Sequence, residues 1–185
     1  MASIIGVETL QHTNGTTAAT ITSGGKLYSS GHVIQVVNSQ LASTTQLTSS
    51  GAISELSTSL RLSITPTAAN SILYFDFYAP FVSPNSNNLA YGYFYDVTNS
   101  AAVNLATASG SRTAVTWAKR TTGFDPNDMD TMHMKTADTS GSTTARTYTI
   151  YHGTEGAVHQ FLQTTLSTSS GVSTKALFTI TEVAG

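Results

Sequence analysis

Between Leu89 and Val97 the side chains alternate, with Tyr91, Tyr93 and Tyr95 on one set of positions and Phe94 on the other. Successive Cβ atoms of an extended strand point to opposite faces, so this spacing predicts a strand with two unlike faces. The same alternation recurs along most of the chain. It opens at His32–Val37, returns through Ile53–Ile64 with Leu56, Leu60, Leu62 and Ile64, and ends at Lys175–Val183. Ser71–Tyr78 is apolar at nearly every position between Asn70 and Pro80, the pattern of a central strand covered on both faces. Ala101–Ala106, Thr113–Lys119, Met129–Lys135, Ala145–His152 and Ala157–Gln163 complete a set of about nine or ten strands, spaced by turn residues as in a sandwich or barrel. Tyr148–His152 and Val158–Leu162 flank the Gly-bracketed turn Gly153-Thr154-Glu155-Gly156 and read as an antiparallel hairpin. No stretch keeps helical spacing without interruption by Gly, Pro or β-branched residues, which limits any helix to a turn or two.

Composition points the same way. Ser and Thr fill 56 of 185 positions, while charged residues make up only 10%, against about 25% in ordinary domains. Thr is β-branched and favours extended backbone. A surface solubilised by short neutral groups also carries few of the long charged side chains that oppose association. The 39% of hydrophobic residues, clustered in periodic runs, supports a folded core rather than a disordered chain.

Residues 1–31 differ from the rest of the chain. Short apolar patches (Ile4, Ile5, Val7, Leu10, then Ile21 and Leu27) alternate with turn signals at Asn14-Gly15 and Gly24-Gly25. Such a segment has no core of its own and reads as an extended arm or small hairpins. Its apolar side chains need a partner, so Ile4, Ile5, Val7 and Leu10 are candidate contacts to sister subunits or to another protein. Residues 32–185 form the predicted body, an antiparallel β-sandwich.

Several function classes are disfavoured. A net charge of −2 with 8 scattered Lys and Arg residues gives no footprint for nucleic acid or an anionic membrane. The absence of cysteine removes disulfides and thiolate metal sites. No run of apolar residues is long enough for a membrane span or a secretory signal, so synthesis and assembly in the cytosol are expected. The nucleophile elbow Gly-x-Ser-x-Gly is missing, and His12, His32, His133, His152 and His159 lack zinc-protease spacing. His152 and His159, on either side of the turn at Glu155, read as surface imidazoles rather than a metal site or pH sensor. Asp125–Asp130 groups oxygen ligands but lacks the Gly and distal Glu of a calcium loop, and reads as an Asx-type turn. No catalytic residue, metal or cofactor is therefore assigned, and the expectation is a protein that is not an enzyme.

Tyr91, Tyr93, Tyr95 and Trp117, with the amide-rich loop Asn85–Asn88, supply flat rings and hydrogen-bonding groups suited to a sugar surface. The preferred alternative is that the tyrosines line the inner face of the sandwich or a subunit interface.

The segment Val7–Ile21, reading VETLQHTNGTTAATI, resembles an N-terminal segment shared by structural proteins of marine and freshwater tailed phages, especially cyanophages. Gly31–Val37, Leu62–Pro66, Ile72-Leu73, Ser111–Thr113 and Phe178–Val183 resemble, in that order, a β-rich domain of such virion proteins. The resemblance covers most of the chain through motifs that are individually unspecific. It implies a jelly-roll-like sandwich, a homotrimer, and a place on the exterior of a particle assembled in the host cytoplasm. The leading expectation is a capsid decoration or cement protein that contacts the major capsid protein or another virion protein. The alternative is a fibre-tip module that grips host surface glycans. The short length and the lack of heptads or long repeats favour decoration over a fibre shaft.

Overall fold

The computed structural model describes residues 7–15, 17–21, 25, 27–42, 47–82, 89–120, 130–155, 158–161 and 174–185. The fold is all-β and antiparallel. Strands β1 (Thr9–Gln11), β2 (Thr17–Ile21) and β3 (Leu27–Tyr28) precede β4 (Val33–Ala42), β5 (Leu47–Ser50), β6 (Ser54–Glu55) and β7 (Leu62–Ile64). Next come β8 (Ile72–Val82), β9 (Leu89–Asp96), β10 (Ala101–Ala102) and β11 (Trp117–Arg120). The last four are β12 (Asp130–Thr139), β13 (Arg146–Thr154), β14 (Val158–Phe161) and β15 (Lys175–Val183).

The first three strands form a small sheet in the order β1-β2-β3. Asn14-Gly15 makes its first turn, where Gly15 adopts φ +85° and its N–H donates to the His12 carbonyl at 2.8 Å. A positive φ is cheap only for a residue without Cβ, which explains the Gly. Among the described residues these strands pair only with one another. Leu10 remains exposed and Val7 half-buried, while Ile4 and Ile5 lie outside the described residues. The passage into the body is pinned by the end of β15: Gly31 N–H donates to the Ala184 carbonyl, and Ala184 N–H to that of His32, each at 2.8 Å.

The body consists of two six-stranded sheets. In one, β9 lies between β13 and the short strands β10 and β11, and β6 and β7 flank β13 on its far side. In the other, β8 lies between β15 and β12, with β4 outside β15 and with β14 and β5 continuing the sheet. Ring contacts across the gap show that the sheets pack face to face: Phe75 on β8 reaches Phe94 at 5.5 Å and Tyr148 at 4.9 Å. Phe178 on β15 stacks on Phe94 at 5.7 Å. Phe75, Phe77, Phe81, Phe161, Met132 and Ile150 fill the rest of this interior. Gly92 leaves no room for a side chain: an added Cβ would overlap the methyl of Met132 on the opposing sheet and come within 2.8 Å of the carbonyl oxygen of Tyr151 on the neighbouring strand β13.

Four expectations are corrected. Strand β8 is central, but only one face is covered: Phe75, Phe77 and Ala79 are buried, while Tyr74 and Tyr78 face solvent. The run Ile53–Ile64 is not one strand. Ser57 accepts a hydrogen bond from Ser59 N–H at 3.2 Å and starts a 3-10 turn at Thr58–Leu60, so Leu56 and Leu60 reach the core from a bent segment. Of the predicted strand Thr113–Lys119 only Trp117–Lys119 pairs, as part of β11, and residues 103–116 are largely irregular. Finally, β13 and β14 do not form a hairpin. β13 pairs with β9, β6 and β7 in one sheet, whereas β14 pairs with β5 and β8 in the other. The chain therefore crosses from one sheet to the other between Thr154 and Val158.

Candidate functional site

The face of β9 that points away from the core carries Leu89, Tyr91, Tyr93 and Tyr95, alternating with buried Ala90, Gly92, Phe94 and Asp96. Its neighbour β13 presents Thr147, Thr149, Tyr151 and Gly153 to the same side, while Tyr148, Ile150 and His152 point inward. The register sets Tyr151 directly opposite Tyr93 and opposite Glu55 on its other side. Tyr151 consequently stands in the middle of an aromatic cluster, stacked on Tyr93 at 5.6 Å and on Tyr95 at 4.2 Å.

Glu55 ties this cluster to an ion pair. Its Oε1 accepts from Arg61 Nε and its Oε2 from Arg61 Nη2, both at 2.8 Å, in the two-pronged geometry that suits guanidinium and carboxylate. Thr149, itself buried beneath the face, donates its hydroxyl to Glu55 Oε1 at 2.8 Å. The hydrogen bond from Arg61 holds the Glu55 carboxyl below its usual range, outweighing burial, which acts the other way, with Thr149 adding to the effect. The Tyr93 phenol is pushed up by burial and then by the neighbouring Tyr151 and Tyr95, and Tyr151 is pushed up by burial, Tyr95 and Glu55. These hydroxyls therefore stay neutral and can both donate and accept.

One end of the face opens into a cavity of about 430 Å³. Tyr91 forms part of its lining, and the ring lies over Gly153, where an added Cβ would come within 2.7 Å of Tyr91 Cε2. Ala118, opposite Tyr91 in the β9–β11 ladder, and Leu89 supply further apolar wall. The other wall is the irregular segment after β10. It is held by Val103 N–H on the Phe94 carbonyl at 2.9 Å and by Thr116 N–H on the Gly92 carbonyl at 3.0 Å, and it brings Ser111, Arg112 and Thr113 to the cavity. Glu155 closes the rim and pairs with Arg120 at 3.3 Å.

Of the residues singled out from sequence, Tyr91, Tyr93 and Tyr95 share this outer face, and Trp117 does not. Trp117 pairs with the inward-facing Gly92 and sets its ring edge-on to Phe81 at 5.8 Å, against the core. The loop Asn85–Asn88 and residues 125–129 lie outside the described residues. His152 is not a surface imidazole: it is buried between the sheets with its ring edge-on to Phe161 at 4.9 Å, because its position on β13 has inward parity. Among the described residues no three His, Asp or Glu side chains stand close enough together to hold a metal ion.

No protein-family model matches the chain, and no curated protein matches it significantly. Among the described residues no helix is long and apolar enough to cross a membrane.

Tyr151, Glu55, Arg61, Arg112 and Glu155 belong to the site but were not anticipated from sequence. Tyr151 had a readable signal, since Thr147, Thr149 and Tyr151 form the polar set of an alternating run. Arg61 and Arg112 had none, because each reaches the face from outside the strands.

Proposed function

We propose that this chain is a non-enzymatic structural protein of a tailed-phage particle. It is a capsid decoration protein that assembles as a homotrimer on the head exterior and engages the major capsid protein or another virion protein through residues 1–31. The alternation of β8, β9, β12, β13 and β14 between the two sheets supports a jelly-roll-like body, in keeping with the virion domains that the sequence resembles. On a shell, such trimers act as clamps, adding buried area across subunit joints against the outward pressure of packaged DNA.

The observation that carries this reading is the outer face of the second sheet. Val36 is 54% exposed, Tyr74 50%, Tyr78 43% and Leu177 40%, all on paired strands. The charged groups on this face are the cluster in which Asp76 meets Lys135 at 2.8 Å and His133 at 3.2 Å, and Lys175 at the start of β15. Wet aromatic and aliphatic side chains on a rigid sheet, with little charge between them, have the composition of an interface core.

The test is the mass of the purified full chain in solution at micromolar concentration, followed by incorporation into particles of a variant lacking residues 1–30. A trimer that Leu177→Glu dissociates, and a truncated body that folds but fails to incorporate, are the expected results. A stable monomer, or normal incorporation of the truncated chain, would overturn the reading.

A second reading, a fibre-tip module that grips host surface glycans, is favoured by a different observation. Tyr93, Tyr95 and Tyr151 form a half-exposed aromatic face that leads into a cavity rimmed with hydroxyls and charge.

A further inference from the structure

Two charged residues, Arg112 and Glu155, line the cavity beside Tyr91. Glu155 on its rim is engaged by Arg120, whereas Arg112 on the opposite wall has no carboxylate within ion-pair distance among the described residues. Arg112 sits on a turn in which its N–H donates to the Ser109 carbonyl at 3.3 Å and Gly110 takes φ +62°. That turn brings Arg112 to the cavity lining beside the hydroxyl-bearing Ser111 and Thr113. The resulting chamber combines an aromatic ring, an aliphatic wall, two hydroxyl-bearing residues and one positively charged residue that no carboxylate among the described residues pairs with.

Taking the glycan-binding reading above as its basis, we infer that this cavity receives an acidic sugar unit of a surface polysaccharide. A pyranose has one flat C–H face and a rim of hydroxyls, which match the Tyr91 ring and the Ser111 and Thr113 side chains. A carboxylate on the sugar meets the Arg112 guanidinium, whose planar fork pairs with carboxylates through two parallel hydrogen bonds. The volume, about 430 Å³, falls in the range of small-molecule sites and suits one or two sugar rings. The neighbouring rings extend the site. Tyr95 is four positions along the strand from Tyr91, about 13 Å at the rise of an antiparallel strand, so Tyr93, Tyr95 and Tyr151 border the path of the next units. Discrimination falls on the cavity and additional contact area on the tyrosines.

The experiment is calorimetric titration of the full chain, at low salt, with a panel of uronate-containing and sialylated trisaccharides and with neutral trisaccharides of matching linkage. At least one acidic member is expected to bind at least about tenfold more tightly than its neutral counterpart, with affinity falling as salt is added. Arg112→Gln, an exposed substitution outside the strands, should abolish that preference without lowering the melting temperature, and Arg112→Lys should retain part of it. Tyr91→Ala should weaken acidic and neutral sugars alike. Equal binding of acidic and neutral sugars, or an acidic preference that survives Arg112→Gln, would overturn the assignment of the cavity and leave a glycan-binding face. No binding of any sugar would overturn both.

Discussion

Replacing Glu182 by Gln tests how the body is held together where residues 1–31 join it. The Glu182 side chain is fully buried. Its Oε1 accepts from Thr67 N–H at 2.6 Å, and its Oε2 accepts from Gln35 Nε2 at 2.5 Å and from the Thr67 hydroxyl at 3.4 Å. Gln35 Nε2 also donates to the Thr65 carbonyl at 2.8 Å, so β4, β15 and the β7–β8 connection meet at one carboxylate. A glutamine keeps the shape but turns an NH₂ toward one of these donors, which leaves a donor facing a donor in a place closed to water. Hydrogen bonds to a charged group contribute roughly 1.5–3 kcal/mol each, and an unsatisfied buried donor costs a similar amount. With one of the bonds retained, Glu182→Gln should cost about 2–4 kcal/mol at neutral pH.

The pH dependence sharpens the test. Burial alone would raise the Glu182 pKa, but the hydrogen bonds from Gln35 and from the backbone of Thr67 and Ala68 bring it below 4.5. A depressed folded-state pKa means that the contribution is complete above the unfolded value and disappears as pH falls through the folded one. The gap between wild type and Glu182→Gln should therefore be constant at neutral pH and narrow as the solution is acidified below 4.5. Urea unfolding followed by fluorescence of Trp117, the one tryptophan in the chain, gives this gap at each pH. Because the other carboxylates titrate in both proteins, the difference isolates Glu182. A gap near zero at neutral pH, or one that does not change through the acid range, would refute the reasoning.

Gly92→Ala should destabilise the body by roughly 2–3 kcal/mol, because the new methyl group meets the carbonyl oxygen of Tyr151 on the adjacent strand, which is backbone and cannot swing aside, as well as the Met132 methyl of the opposing sheet; thermal unfolding reads the loss, and an unchanged melting temperature would contradict the tight packing around Gly92. In a double-mutant cycle, Tyr95→Ala and Tyr151→Ala should show a coupling of about 1 kcal/mol in urea unfolding, as expected for stacked rings. Strict additivity would mean that the 4.2 Å stacking makes no energetic difference.

Much of the fold was legible because strand geometry is local. A residue's parity along an extended chain decides its face, so the separation of Tyr91, Tyr93 and Tyr95 from Phe94 could be read directly. The strand Lys175–Val183 was legible to its end residues for the same reason. Parity, however, names two faces without saying which is wet. The preferred expectation set the tyrosines on the inner face of the sandwich or at a subunit interface; the inner face is ruled out, because Phe94 and Gly92 meet the opposing sheet and leave the tyrosines on the half-exposed outer face. Trp117 looked like a partner for the tyrosines by residue type, but its pairing with Gly92 gives it the opposite parity.

What only the tertiary structure decided is which strand lies beside which. A turn sequence such as Gly153–Gly156 has the same local chemistry whether it closes a hairpin or spans two sheets, and the choice depends on partners far away in sequence: Tyr93 and Glu55 for β13, Leu47–Ser50 for β14. The same long-range pairing brought Tyr151 between Tyr93 and Tyr95 and set Glu182 against Gln35 and Thr67. The alternation of side chains determined that this protein is built of two-faced strands; the assembly of those strands, driven by burial of Phe75, Phe94 and Phe178 between two sheets, decided which faces were left pointing outward.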